Sequence, residues 1–259
     1  MTHKVLITGA LHPLALDILR AAGDVAVDYR PDIPYDEILA AVPEYHALVS
    51  RSETNVTREL IDRGRKLKVI ARAAVGTANI DLDYATERGI LVINTPGKNT
   101  NSAAELTMAL LLALLRNVIP AHGQMKAQKW DRHRFAGREL MGKTLGIIGL
   151  GNVGHRVARF AKGFEMDVIA YDPYISDELF DTHGARKVEL GTLIGTADIV
   201  TIHTPKTAET TNMIGAAEIA RMKDGVVILN TARGGLIHEP ALLEALKSGK
   251  VAAAGIDTW

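Results

Sequence analysis

The stretch Thr144-Leu145-Gly146-Ile147-Ile148-Gly149-Leu150-Gly151-Asn152-Val153-Gly154-His155-Arg156-Val157-Ala158 decides the fold. An apolar β-branched run, Leu145–Ile148, reads as a strand. It enters Gly149-x-Gly151-x-x-Gly154, and a helical pattern from Asn152 through Lys162 follows. The first glycine of such a turn permits the tight bend, and the second lets backbone approach a pyrophosphate. The third allows the helix to pack closely on the strand, whose neighbouring helix start offers bare N–H groups to phosphate. The next strand, Val168–Tyr171, ends at Asp172, and 172 − 154 leaves 18 residues after the last glycine. An acid at that distance accepts hydrogen bonds from both adenosine ribose hydroxyls and repels an added phosphate. The pattern therefore points to NAD rather than NADP.

Outward from this unit, the same alternation of strand and helix fills both halves of the chain. Candidate strands before it are Val5–Thr8, Val25–Asp28, Ala47–Ser50, Lys68–Ala71 and Leu91–Asn94, with helical patterns near Leu14–Ala22, Tyr35–Ala41, Thr57–Arg63 and Leu82–Arg88. Beyond it lie Ile199–Ile202, Val226–Leu229 and Ala252–Ile256, with a weaker strand near Arg186–Val188. Short strands separated by amphipathic helices predict parallel sheets covered on both faces. The fold class is α/β, divided into residues 1–98 and 99–259. Between them, Ser102 and Glu105 fit a capping box at the head of a helix predicted to run from 102 to about 117. That helix is apolar nearly all round, so it is expected to be buried between domains or subunits.

The bulk numbers exclude several classes. Thirty basic residues balance thirty acidic ones, so no global charge recruits nucleic acid or an anionic membrane. The absence of cysteine removes disulfides, thiolate metal sites and a cysteine nucleophile, and no metal site is expected. Met1–Ala10 is too weakly apolar for a signal peptide, and Leu106–Leu115 is too short to span a bilayer. The expectation is a cytoplasmic protein.

The strand Val226–Leu229 runs into Asn230-Thr231-Ala232-Arg233-Gly234-Gly235. Open α/β sheets bind ligands beyond the carboxyl ends of their strands, so Arg233 is expected to face the crevice. A guanidinium there can clamp a carboxylate with two parallel charge-assisted bonds. A solvated surface arginine is the competing reading of position alone.

Taken together, Arg51-Ser52, Asn79-Ile80-Asp81, Asn94-Thr95-Pro96, Ala103-Ala104-Glu105, Trp130-Asp131-Arg132, Gly142-Lys143-Thr144, the glycine turn, Tyr171-Asp172-Pro173, His203-Thr204-Pro205, Asn230 to Gly235 and Ala254-Gly255-Ile256-Asp257 resemble the D-2-hydroxyacid dehydrogenases. The resemblance implies two flavodoxin- or Rossmann-like lobes with a cleft between them, and a homodimer built on the helix 102–117. It implies a 2-hydroxy or 2-oxo acid as substrate and NAD as cofactor. It assigns cofactor contacts to Val75, Gly149, Gly151, Asn152, Val153, Gly154, Asp172, His203, Thr204, Pro205, Thr231, Ala232 and Asp257. Arg233 is implied as the catalytic-site holder of the substrate carboxylate. The substrate-side loop supplies Arg72, Ala74, Val75 and Gly76. Members acting on phosphoglycerate bind the phosphate with extra arginines, for which Arg51, Arg72, Arg132 and Arg134 are the matching candidates.

Two departures from the family pattern fall in that loop, where Ala74 and Ala78 replace the usual Gly and Asp. A further implication concerns the family's catalytic His and Glu, with the last strand of its cofactor sheet, which lie beyond the position of Trp259. On that reading this chain binds NAD but oxidises 3-phosphoglycerate negligibly. Two other functions are weighed against phosphoglycerate oxidation: reduction of glyoxylate or hydroxypyruvate, and a non-catalytic NAD-sensing binding protein of the same fold.

Overall fold

The computed structural model describes residues 2–259 and divides into two compact units, one ending at Asn99 and the other beginning at Thr100. The first runs β1 (His3–Ile7), α1 (Pro13–Ala21), β2 (Val25–Tyr29), α2 (Tyr35–Ala41), β3 (Ala47–Ser50), α3 (Arg58–Arg63), β4 (Val69–Arg72), α4 (Leu82–Glu87) and β5 (Leu91–Ile93). Its strands are all parallel, in the order β2-β1-β3-β4-β5. The apolar strand centres Leu6, Leu48 and Ile70 are fully buried and explain why these runs become strands. Side chains begin the helices between them. Thr57 Oγ1 accepts from Leu60 N–H at 3.4 Å to cap α3, and Asp81 Oδ1 accepts from Tyr84 N–H at 3.0 Å to cap α4.

The second unit opens with α5 (Thr100–Leu115) and α6 (Val118–Lys126). Then come β6 (Thr144–Ile148), α7 (Gly154–Gly163), β7 (Asp167–Tyr171), α8 (Asp177–Thr182), β8 (Arg186–Lys187), α9 (Leu190–Thr196), β9 (Ile199–Ile202), α10 (Ala216–Arg221), β10 (Val226–Asn230), α11 (Glu239–Ser248) and β11 (Val251–Ile256). Its six parallel strands lie in the order β11-β10-β9-β6-β7-β8. Two apolar clusters cover the sheet: Met108, Leu111, Leu145, Val157 and Ala161 belong to one, Leu193, Ile202, Ile219 and Leu242 to the other. Both sheets reverse direction once, between β1 and β3 and between β6 and β9, and these are the places where an open α/β sheet leaves a crevice.

One expectation needs correction. The helix α5 starts at Thr100, so Ser102 lies inside the first turn, and among the described residues Ser102 and Glu105 form no capping box. Along α5, Ala104, Met108 and Leu111 are buried within the chain and Leu106 is exposed. The long helix ends at Leu115, close to the expected 117; Asn117 then takes a left-handed conformation (φ 53°) and α6 follows from Val118. Among the described residues no single helix is long and apolar enough to cross a membrane.

One buried polar contact fixes α5 on the sheet. Thr107 Oγ1 donates to Ala103 O at 2.8 Å and lies 2.7 Å from Thr231 Oγ1, just past β10. With the Thr107 proton so used, Thr231 donates to Thr107 and keeps its own lone pairs free. Replacing Thr107 by Val strands a buried hydroxyl and is expected to cost about 1–3 kcal/mol. The corresponding fall in melting temperature, roughly 2–12 °C, is measurable by circular dichroism.

Candidate functional site

In the second unit, every residue singled out at a strand end stands on the same edge of the sheet. Gly149 follows β6, Asp172 follows β7, His203 and Thr204 follow β9, Thr231 to Arg233 follow β10, and Asp257 follows β11. The turn at Gly149 needs φ +90°, and a Cβ there would press within 2.9 Å of the His203 carbonyl and the Thr204 methyl. A Cβ on Gly154 would collide with the Gly149 carbonyl, so α7 can start against the turn only without a side chain. Around Gly151 the space a Cβ would occupy is open. Among the described residues, the amides of Gly151, Asn152 and Val153 find no acceptor within the chain. Bare amides, an open Gly151 and a helix start make a cradle with the chemistry to hold a diphosphate.

Asp172 anchors this cradle. Its Oδ2 accepts from Leu150 N–H at 2.9 Å and its Oδ1 from Tyr174 N–H at 3.0 Å. A carboxylate has about four acceptor positions, so both oxygens retain capacity for ribose hydroxyls. The residues present therefore fit an NAD-type dinucleotide.

His203 is partly buried and sits 2.9 Å from Thr201 Oγ1. Burial pushes its imidazole down to about 4, so the ring is neutral at pH 7 and adds no charge to the site.

The Arg233 loop is shaped by a residue the sequence reading left without a role. Buried Asn230 donates through Nδ2 to Arg233 O at 2.8 Å and accepts from Ala232 N–H at 3.0 Å. The Arg233 side chain is exposed and donates through Nη1 to Ala232 O at 2.6 Å, so four of its five N–H groups stay free. Asp257 is held by its own N–H, which donates to Asn230 O at 3.0 Å. His238, which matched no motif, caps α11 by accepting from Ala241 N–H at 3.3 Å.

In the first unit, Arg51 and Arg72 stand at the carboxyl ends of neighbouring strands, β3 and β4, with Ser50 and Arg72 register partners. The Arg51 stem lies over Gly9, where a Cβ would come within 2.8 Å of it, and its Nη1 donates to Ala10 O at 2.9 Å. Arg72 is only 6% exposed and donates through Nε to Gly76 O at 2.9 Å. The Arg51 Nε, the Arg72 Nη1 and the Ser50 hydroxyl are buried without any partner. Burial pushes the Arg72 guanidinium below its usual value, with Glu53 opposing and Arg51 adding to the shift. The loop 73–78 is pinned by its carbonyls: Asn94 Nδ2 donates to Val75 O at 2.8 Å, and Thr95 N–H donates to Ala74 O at 3.1 Å. Arg132 and Arg134 lie on an exposed 3-10 turn of the second unit, and among the described residues no hydrogen bond joins them to the Arg233 loop.

Residues 108–259 match the model of the D-isomer specific 2-hydroxyacid dehydrogenase NAD-binding domain. A D-3-phosphoglycerate dehydrogenase of Archaeoglobus fulgidus is 45% identical over 99% of this chain and 48% of its own length. A hydroxypyruvate reductase of Thermotoga maritima is 47% identical over 86% of this chain and 72% of its own. Among solved structures, a D-lactate dehydrogenase of Aquifex aeolicus complexed with NAD and lactic acid superposes with a TM-score of 0.85 at 31% identity, covering 98% of this chain and 77% of the other. The chain belongs to the D-isomer specific 2-hydroxyacid dehydrogenase family and carries that family's NAD-binding domain. It spans about half the length of the phosphoglycerate dehydrogenases it matches.

A histidine whose folded pKa lies below its unfolded value of 6.5 binds fewer protons when folded. Its contribution is complete above pH 6.5 and is lost as the pH falls toward 4. His203→Gln is expected to flatten the fall of the urea midpoint across that window, while leaving the midpoint above pH 7 within experimental spread of the parent's fall-free plateau.

Proposed function

We propose that this chain is the cofactor- and acid-binding part of an NAD-dependent 2-hydroxyacid dehydrogenase whose preferred acid is 3-phosphoglycerate. The observation that carries the cofactor assignment is the amide cradle at Gly149–Gly154 with Asp172 beside it. NAD, when bound, accepts or returns the hydride of the carbon bearing the hydroxyl. The bare amides of Gly151, Asn152 and Val153 take the diphosphate oxygens, and Asp172 takes the adenosine ribose. Arg233 takes the substrate carboxylate through its free N–H groups, with Asn230 holding the loop so that the guanidinium starts from one place. His203, Thr204, Pro205, Thr231, Ala232 and Asp257 form the remaining cofactor edge.

The unpartnered donors of Arg51, Arg72 and Ser50 support an acid with a second anionic group. A buried guanidinium with an N–H left unpaired costs stability, and a phosphate supplies the missing acceptor. The likeness to a hydroxypyruvate reductase favours a second reading, reduction of a phosphate-free 2-oxo acid. A homodimer through α5 and a cytoplasmic setting complete the proposal.

Calorimetry with NAD, NADP and a panel of hydroxy acids tests these assignments. Asp172→Ala removes two charge-assisted bonds, about 1.5–3 kcal/mol each, and is expected to weaken NAD at least tenfold while narrowing its advantage over NADP. An unchanged preference would defeat the cofactor assignment.

For the acid, Arg72→Met is the informative change. It removes a buried charge that lacks a full set of acceptors, so the ligand-free chain should melt no lower than the parent. The thermal shift given by 3-phosphoglycerate should shrink relative to that given by phosphate-free glycerate. Equal shifts from the two acids in the parent protein would favour the reductase reading.

A further inference from the structure

Beside the Asp172 carboxylate stands an aromatic ring that the fold does not bury. Tyr174 is 80% exposed, yet it is tied at both ends. Its N–H donates to Asp172 Oδ1 at 3.0 Å, and its phenol donates to Glu209 Oε2 at 2.7 Å. The Glu209 hydrogen bond and charge raise the phenol above its usual pKa, which keeps the proton on the tyrosine as donor. Glu209 belongs to the loop after β9, whereas Tyr174 follows β7, and these two strands flank β6 in the sheet. The hydrogen bond therefore joins the two loops on either side of the strand that leads into the glycine turn.

The Glu209 loop is itself braced. Thr210 Oγ1 donates to Pro205 O at 2.7 Å and accepts from Thr207 N–H at 2.7 Å, while Thr211 Oγ1 donates to Thr207 O at 2.6 Å. Asn212 N–H donates to Gly235 O at 2.8 Å. An exposed side-chain pair contributes little to stability by itself, since water serves both groups equally well. What the arrangement does achieve is to hold a flat apolar face still, one residue beyond Pro173, next to the ribose-binding acid. A ring with two torsions already fixed loses little freedom when something stacks on it.

We propose that Tyr174 is a stacking platform for the adenine of the dinucleotide, that Glu209 is the positioning residue that holds it, and that the pair slows release of the cofactor. This rests on the NAD assignment made above. Glu209 lies a tyrosine's length from Asp172 and is exposed, so solvent and salt screen its charge, and its contribution is the bond to the phenol rather than repulsion of a 2′-phosphate.

Stopped-flow release and equilibrium binding of NADH, followed by its fluorescence, test the proposal on the whole 259-residue chain. Tyr174→Ala is expected to raise the NADH dissociation constant about tenfold, within the range that loss of one base–aromatic stack produces. Tyr174→Phe keeps the ring and loses the anchor, and is expected to raise the release rate about threefold. Glu209→Ala should match Tyr174→Phe, and the double variant should be no worse than either, because both remove the same bond. ADP-ribose should lose affinity in the same proportion as NADH with Tyr174→Ala, since both carry the adenine. NADH binding by the parent protein with Tyr174→Ala unaffected, or additive effects of Tyr174→Phe and Glu209→Ala, would overturn the platform while leaving the NAD assignment intact. No NADH binding by the parent protein would overturn both.

Discussion

The close approach of Gly154 to the Gly149 carbonyl is the constraint on which the second unit depends. Because neither position carries a Cβ, α7 begins hard against the turn that leaves β6. The helix start then presents the amides of Gly151, Asn152 and Val153 outward, unspent on internal bonds. A side chain at either glycine would separate helix and strand, and the amides would lose their common direction. Asp172 completes the arrangement from the neighbouring strand by accepting from Leu150 N–H, so the acid proposed to take the ribose also holds the turn in place. One carboxylate thus couples the position of two binding elements.

How much of this was legible in the sequence follows from where each signal resides. The strands were read nearly to the residue, Ala47–Ser50 and Ile199–Ile202 without any difference, because buried parallel strands are short continuous apolar runs. The second-unit helices α8, α9 and α10 were not read as helical patterns, although they carry six or seven residues each, the same as α2, α3 and α4, which were. The start of α5 was misplaced by two residues because Ser102 and Glu105 fit a capping pattern that the backbone does not use.

The candidate site divides in the same way. The glycines and Asp172 stand at strand ends in a spaced motif that located them, and the family resemblance singled out Arg233 at another strand end. Asn230, Asn94, His238 and the Tyr174–Glu209 pair act through hydrogen bonds to partners that no local pattern names. Tyr174 and Glu209 are 35 residues apart, and only the order of β9, β6 and β7 brings them together. Arg132, which a motif names, and Arg134 lie on an exposed turn of the second unit.

The two units solve different electrostatic problems. In the second, the side chains around the glycine turn are already partnered: Asp172 by two amides, Asn230 by the loop it holds, Thr231 by Thr107. Such a network is rigid before any ligand arrives, so little ordering cost falls on the binding step. In the first unit, at the carboxyl ends of β3 and β4, Arg51 Nε, Arg72 Nη1 and the Ser50 hydroxyl are buried and find no partner among the described residues, while Arg51 Nη1 and Arg72 Nε are spent on backbone carbonyls. That state is costly in the free chain, and the cost falls only when an anion supplies the missing acceptors. A site built this way gains more from a strongly accepting group such as phosphate than from a neutral or weakly accepting one.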